Sequence, residues 1–237
     1  MTTVSIHQPG YLPWLGYLER IARSDAHVFF DDVQFDKNSF DNRNKIRTAE
    51  GSTWLSVPVL TKGKFGENQL REAGIDNHSG WPKKHWKSIC FSYQKAPFFK
   101  DYAGFFENVY TKTWDKLLDL NLEIITGVFG FLGIKTQVIF SSSLEKTAKK
   151  SDLVLEICKK LNAGTYLSGA LGRNYLELPK FEEAGIKVIF QDYQHPVYTQ
   201  RYAGFQPFMS VIDLLFNEGP KSYDILMNQS TAEGGIL

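Results

Sequence analysis

The sequence predicts an α/β protein: a mostly parallel sheet with flanking helices and a helical insertion in the middle. Three observations carry that expectation. Strand, loop, helix and strand succeed one another over residues 4–30, the first unit of a parallel sheet. The same rhythm returns from residue 136 onward. Between these halves, residues 81–132 read as helix with few breaks. One domain is expected over 1–226, with its insertion at about 81–134 and a flexible tail at 227–237.

Val4 and Ile6 alternate with polar neighbours like a short strand, which ends in the turn-rich His7-Gln8-Pro9-Gly10-Tyr11-Leu12-Pro13. Over 14–24, Leu15, Leu18, Ile21 and Ala22 recur at the spacing of one helix face. Ala26-His27-Val28-Phe29-Phe30 reads as a buried strand stopped by Asp31-Asp32. A polar segment at 34–51 precedes an alternating strand at 53–60, which Pro58 places at an edge. Residues 61–80 read as loop. In the helical stretch, Pro97 and the neighbourhood of Thr111 mark breaks, and Trp86, Phe91, Phe99, Phe106 and Trp114 are expected to pack as core. A strand at 136–140 leads through Ser141-Ser142-Ser143 to a helix at 151–161, with Ser151 as its N-cap. A short strand at 165–168 ends at Gly169, a helix spans 175–184, and Gly185 closes it before a strand at 186–190. A last helix, 210–216, stops at Asn217-Glu218-Gly219-Pro220.

With 43% hydrophobic and 22% charged residues, the 237-residue chain has enough apolar material to bury a core. A net charge of +1 supplies no long-range field toward DNA or an anionic membrane, so any phosphate is bound locally. No apolar run is long enough to span a bilayer and no leader pattern opens the chain, so a cytoplasmic protein without membrane insertion is expected. Cys90 and Cys158 lie in apolar helical stretches and are read as reduced, structural thiols. Cys and His are not clustered at ligand spacing, and no metal site is expected.

The first strand–helix junction carries the sharpest local signal. In open α/β sheets, ligands bind beyond the carboxyl ends of the strands. His7 can act there as acid or base, or tie down its own loop, with Gln8, Gly10 and Tyr11 as substrate-binding neighbours. Asp31 and Asp32 end the next strand, where they either serve a ligand or cap a turn, and Asp32 is taken as a catalytic orienter. Beyond them, Arg43 and Asn44 are candidates for holding a phosphate, whereas Arg47 reads as part of a solvated basic face. Lys62-Gly63-Lys64-Phe65-Gly66 could also contact phosphate but lacks the spacing of a Walker motif. A third cluster, Ser168, Gly169, Arg173 and Asn174, lies where a strand passes through glycines into a helix, a backbone suited to an anion. Ser168 lacks a nucleophile elbow, because Tyr166 replaces the first glycine. The segment after the last strand adds His195, a second acid/base candidate, with Tyr198 and Gln200.

These segments give the chain its resemblance to the WbqC-like protein family. The matching strings are Ile6-His7-Gln8-Pro9-Gly10-Tyr11-Leu12-Pro13-Trp14-Leu15-Gly16-Tyr17, Asp31-Asp32-Val33-Gln34-Phe35, Asn42-Arg43-Asn44, Trp54-Leu55-Ser56-Val57-Pro58-Val59, Tyr166-Leu167-Ser168-Gly169, His195-Pro196-Val197-Tyr198-Thr199-Gln200 and Ser210-Val211-Ile212-Asp213-Leu214-Leu215-Phe216. The resemblance covers about residues 4–220. It implies a Rossmann-like or nucleotidyltransferase-like sheet and a place in bacterial O-antigen or other surface-polysaccharide biosynthesis. Some members of the family are proposed to attach glycine or another amino acid to an amino sugar. The His7 loop is also distantly similar to the phosphate-binding turn of nucleotidyltransferase-like proteins. Their paired-histidine motif is absent, since Gln8, Pro9 and Gly10 follow His7, which argues against ATP use.

The resemblance and the residues together lead to an N-acyl or aminoacyl transferase acting on a nucleotide-linked amino sugar. His7 or His195, with Asp32, would supply the base. The acyl donor, whether a carrier-protein thioester, a tRNA or an adenylate, is left open, as is any cofactor. A glycosyltransferase is an alternative, although adjacent Asp31 and Asp32 point oppositely on an extended strand. A non-catalytic nucleotide-sugar-binding or scaffold protein is the other.

Overall fold

Strand β1 (Thr2–His7) lies at the centre of a five-stranded parallel sheet in the computed structural model, which describes residues 1–61 and 68–228. On one side β1 pairs with β2 (Ala26–Phe29), Val4 opposite Ala26 and His7 opposite Phe29. On the other it pairs with β6 (Ala163–Ser168). Outside these run β5 (Gln137–Phe140), against β2, and β7 (Lys187–Phe190), against β6. The order is therefore β5-β2-β1-β6-β7, all parallel, in keeping with the mostly parallel sheet that the sequence predicts. The chain leaves β1 toward β2 and later returns past it to form β6 and β7. The connections from β1 and β6 thus depart in opposite directions, which makes their carboxyl ends the switch point where open α/β sheets hold a ligand crevice.

Alternation along the strands divides the core into two layers. Val4, Ile6, Ala26 and Val28 face helix α5 (Lys150–Lys160) and α6 (Leu178–Glu183), packing with Val154, Ile157, Cys158 and Phe181. Ser5, His7, His27 and Phe29 alternate with them and face helix α1 (Leu15–Ala22). Above α1 lies the larger layer, built from α2 (Trp81–Tyr93), α3 (Phe99–Thr111), α4 (Leu117–Leu132) and α7 (Val211–Glu218). The breaks between α2, α3 and α4 fall at Pro97 and just after Thr111, where the sequence places them. Phe106 and Val109 are fully buried, and Trp86, Phe99 and Trp114 pack against the same core. Phe91 departs from this pattern and is exposed on the outer face of α2.

The structure corrects several local expectations. The polar segment before Gly51 contains a strand, β3 (Arg43–Thr48), paired antiparallel with β4 (Gly51–Ser56). Its residues Arg-Asn-Lys-Ile-Arg-Thr carry a single apolar side chain, Ile46, so alternation is invisible in hydrophobicity alone. β4 ends before Pro58, which cannot donate to a ladder. Ser151 does not cap α5; Lys149 occupies that position, and Ser151 Oγ accepts the Glu177 N–H at 2.9 Å. Residues 170–174 form a 3-10 turn, so α6 begins three residues later than the predicted helix start. A further helix, α8 (Ser222–Met227), buries Leu226 and takes in the first residue of the expected tail. The Lys62–Gly66 candidate loop and residues 229–237 lie outside the described residues. Cys90 and Cys158 are free, and no described helix is long and apolar enough to cross a membrane.

Candidate functional site at the switch point

β1 delivers His7, and β6 delivers Ser168 and Gly169, to the two walls of the central crevice. His7 Nδ1 lies 2.9 Å from the Gln8 carbonyl oxygen. A carbonyl only accepts, so Nδ1 carries the proton and Nε2 keeps its lone pair. Nε2 has no hydrogen-bond partner among the described residues, and the residue as a whole is partly buried. Trp14 and Tyr17 meet the imidazole edge-on at 5.5 and 5.4 Å and fix its plane. Burial, and then the nearby Arg20 cation, pull its pKa down to about 3. His7 is therefore a neutral imidazole with an unbonded ring nitrogen, carried at the carboxyl end of β1.

Arg20, on α1, is the residue the sequence does not single out. It is only 5% exposed, and its Nε and Nη2 form no hydrogen bond with any described residue. Burial lowers the pKa of the guanidinium, and Tyr166, Tyr17, Tyr175 and the Glu19 carboxylate oppose that effect without cancelling it. Nη1 lies against Gly169, where even one methyl group would collide with it. This close approach is a physical reason for glycine at the end of β6. Beneath α1, Ser24 Oγ donates to Ser5 Oγ at 2.8 Å, and Ser5 Oγ lies 2.8 Å from His27 Nδ1. His27 Nε2 is buried without a partner, and burial holds that imidazole neutral as well.

The segment after β7 crosses over α1 and covers it. Gln191 Nε2 donates to the Gly16 carbonyl at 2.7 Å and to the Glu19 carboxylate. The Tyr193 ring rests on Gly16, where any Cβ would strike it, and its hydroxyl is buried with no described partner. Further along, Arg47 of β3 donates to the carbonyls of Ala203 and Gly204 at 2.8 and 2.9 Å and is 3% exposed. Arg47 is thus an anchor of this segment, which corrects its reading as a solvated base.

The remaining candidates divide by what their polar atoms already do. Asp31 accepts from Ser142 N at 2.9 Å and from Ser141 Oγ at 3.1 Å. Asp32 accepts from Ser141 Oγ and pairs with Lys146, whose charge and hydrogen bond help hold its carboxyl below the usual range against the opposing effect of burial. Together they lash the start of the β5–α5 connection to β2. Tyr11 is fully buried, its hydroxyl 2.8 Å from His85 Nδ1 and 2.6 Å from Tyr110 Oη. Asn44 is likewise buried and donates to the Leu12 carbonyl, tying the hairpin to the His7 loop. His195 has both nitrogens engaged, Nδ1 with the Pro196 carbonyl at 2.8 Å and Nε2 accepting Phe208 N–H at 3.0 Å. Tyr198 and Gln200 donate to the buried Asp213 carboxylate at 2.8 and 2.7 Å, where Tyr93 also donates at 2.9 Å.

His7, Gln8 and Gly10 follow the carboxyl end of β1, and Ser168 and Gly169 the carboxyl end of the adjacent β6, with Arg173 and Asn174 exposed on the turn beyond. Arg173 lies over the Phe190 ring at 4.3 Å. Arg43 sits on the hairpin, 4.5 Å above the Trp54 ring. A run of rings connects it to His7: Trp54 meets Phe40 at 6.1 Å, and Phe40 meets Trp14 at 4.6 Å. Phe40 and Trp54 are each 42% exposed, so this run forms an open aromatic shelf beside the crevice. Two shallow grooves lie elsewhere. One, between the hairpin tip and α2, is lined by Thr48, Thr53, Lys87 and Phe91; the other runs along α6 and β7. Neither contains His7 or Arg20. No group of three or more acidic, His or Cys side chains suited to a metal occurs among the described residues.

Comparison with known proteins places this architecture in a family. The model of the WbqC-like protein family matches residues 8–225, a range that begins just after His7 and takes in α1 and β6. The chain is 35% identical over 228 residues to the uncharacterized protein Rv1507c of Mycobacterium tuberculosis, covering 95% of this chain and 98% of that one. No solved structure matches.

Proposed function

The chain belongs to the WbqC-like protein family, and on that premise we propose that it transfers an acyl or aminoacyl group, glycine among the candidates, to a nucleotide-linked amino sugar. One observation carries the reading: a neutral His7 with Nε2 unbonded, at the switch point where an α/β sheet binds its ligand. Acyl transfer to an amine requires loss of a proton from the attacking nitrogen. In this reading the sugar amine attacks the acyl carbon, His7 Nε2 takes the proton, the new C–N amide bond forms, and the donor's bond to its carrier breaks. The amides of the Gly10 and Gly169 turns would stabilise the oxyanion. Arg43 and Arg173 would hold the diphosphate, with the Trp14–Phe40–Trp54 shelf under the base or sugar. Asp32 would orient through Lys146 rather than touch His7, because Ser141 and Lys146 occupy its carboxylate. A metal-dependent glycosyl transfer would have to strip those partners from Asp31 and Asp32.

The test is turnover of nucleotide-linked amino sugars with a panel of carrier-bound, tRNA-bound and adenylate donors, read by mass spectrometry as an acylated sugar. His7→Gln should lower the rate by about 10²–10⁴, the usual contribution of a positioned base. A folded His7→Gln protein with full activity would remove His7 from the chemistry and the reading with it.

A further inference from the structure

The guanidinium of Arg20 has two N–H groups, on Nε and Nη2, that share one edge of the fork and bond to no described residue. That edge is the one that receives two oxygens of a carboxylate or phosphoryl group in parallel. The side chain is 5% exposed, so water does not bathe the charge as it would at a surface. Its nearest described neighbours are phenols and the backbone at Gly169, while the adjacent carboxylate, Glu19, is held by Arg23 and Gln191. A buried cation in this condition costs stability, since two of its donors make no bond and Glu19 and the phenols offset its burial only in part. We propose that Arg20 is the anchor of an oxyanion-binding site between the ends of β1 and β6, which grips two oxygens of a substrate's phosphoryl or carboxylate group. The ligand reaches it beside His7 and Gly169, and Gly169 is required because a side chain there would push the fork aside.

The site stands whether or not acyl transfer is the reaction, and its test needs no acyl acceptor. Pyrophosphate and UDP are titrated into the full chain as phosphoryl probes, and acetate and glycine as carboxylate probes, by calorimetry. Saturable binding in the first pair assigns the oxyanion to a nucleotide diphosphate; binding in the second assigns it to the acyl group. Arg20→Met should lose at least tenfold in that affinity and Arg20→Lys a similar amount, because an ammonium lacks the parallel donors. The melting temperature separates this from a structural role. With the unrepaid cation gone, Arg20→Met should melt at the wild-type temperature or above it. Should Arg20→Met fail to fold, Arg20→Lys decides: wild-type affinity in the folded lysine variant overturns the proposal. So does a wild-type protein that binds none of the four probes at millimolar concentration, or an Arg20→Met variant that melts lower and binds as before.

Discussion

Acid should weaken this protein through His7, by an amount the structure fixes. Burial and Arg20 lower the His7 pKa from 6.5 to about 3, so the folded protein stays unprotonated there while the unfolded chain takes up a proton. Stability from this group is fully present above pH 6.5 and drains away as pH falls toward 3. Between pH 7 and pH 5 the unfolded state gains nearly one proton over about 1.5 units, which removes about 1.9 kcal/mol. His85, lowered to about 4 by burial, acts in the same direction. Asp41, raised to about 6 by burial, acts in the opposite one, because its folded form takes the proton first. The total curve mixes these contributions, so the measurement must be a difference. Urea unfolding of wild type and His7→Gln at pH 7, 6 and 5 gives two stability curves. Their separation should shrink by about 1.9 kcal/mol across that range, whatever the substitution costs at pH 7. A separation constant to within about 0.5 kcal/mol would mean that His7 titrates as in water, and the neutral-base argument would fail.

Two further substitutions probe the surrounding frame. Asp213→Ala should destabilise by about 3 kcal/mol or more in urea unfolding, since it strands the buried Tyr93 and Tyr198 hydroxyls and the Gln200 amide. Asp213→Asn, which keeps an acceptor, should cost less. Arg43→Lys should weaken nucleotide-sugar binding by about 1.5–3 kcal/mol in calorimetry while leaving the melting curve within a degree or two, because the fork over Trp54 is lost but the charge stays. Arg47 cannot serve as its control, being bonded to four backbone carbonyls; the exposed Arg71→Lys serves instead.

The parallel sheet was legible because its strands are short apolar runs punctuated by Gly, Pro and paired acids, and the helical layer because Pro97 and Lys112 to Lys116 interrupt long amphipathic stretches. β3 was not, since its outer face carries Arg43, Lys45 and Arg47 and its inner face only Asn44 and Ile46 as fully buried groups. His7 and Gly169 were legible from position alone, at the ends of recognisable strands. Arg20 was hidden by a different cause. On an amphipathic α1, the face opposite Leu15 and Ala22 reads as solvent, and an arginine there attracts no notice. In the fold, α1 lies between the sheet and the helical layer, with Tyr193 laid on Gly16, so every residue from Leu15 to Ile21 is buried. Only the long-range placement of α1 between β6, the turn after it and the 191–210 segment turns that polar face inward, and no local pattern encodes it.

The molecule contains two buried polar clusters, and their contrast separates scaffold from site. Around Asp213, Tyr93, Tyr198 and Gln200 each donate to the carboxylate, Asn217 reaches the same acid through its carbonyl, and the Tyr93 hydroxyl accepts the Arg47 amide. Such a network holds one arrangement of the 191–210 segment against α7 and the hairpin, and removing any member exposes the others. Around Arg20 the accounting is left open. Arg20 Nε and Nη2, His27 Nε2 and Tyr193 Oη are all buried without a described partner, and they lie on three side chains on or against α1. Unbonded buried atoms occur elsewhere too, but Asn68, Trp81 and Ser210 are neutral, and Arg47, unbonded at Nε, gives its other donors to four carbonyls. A folded chain gains nothing by burying a cation unpaired, and a hydrophobic residue at position 20 would pack there at lower cost. The closed network positions the covering segment over Gly16 and Glu19 of α1, and the free energy left unsatisfied at Arg20 is what an oxyanion entering beside His7 would recover.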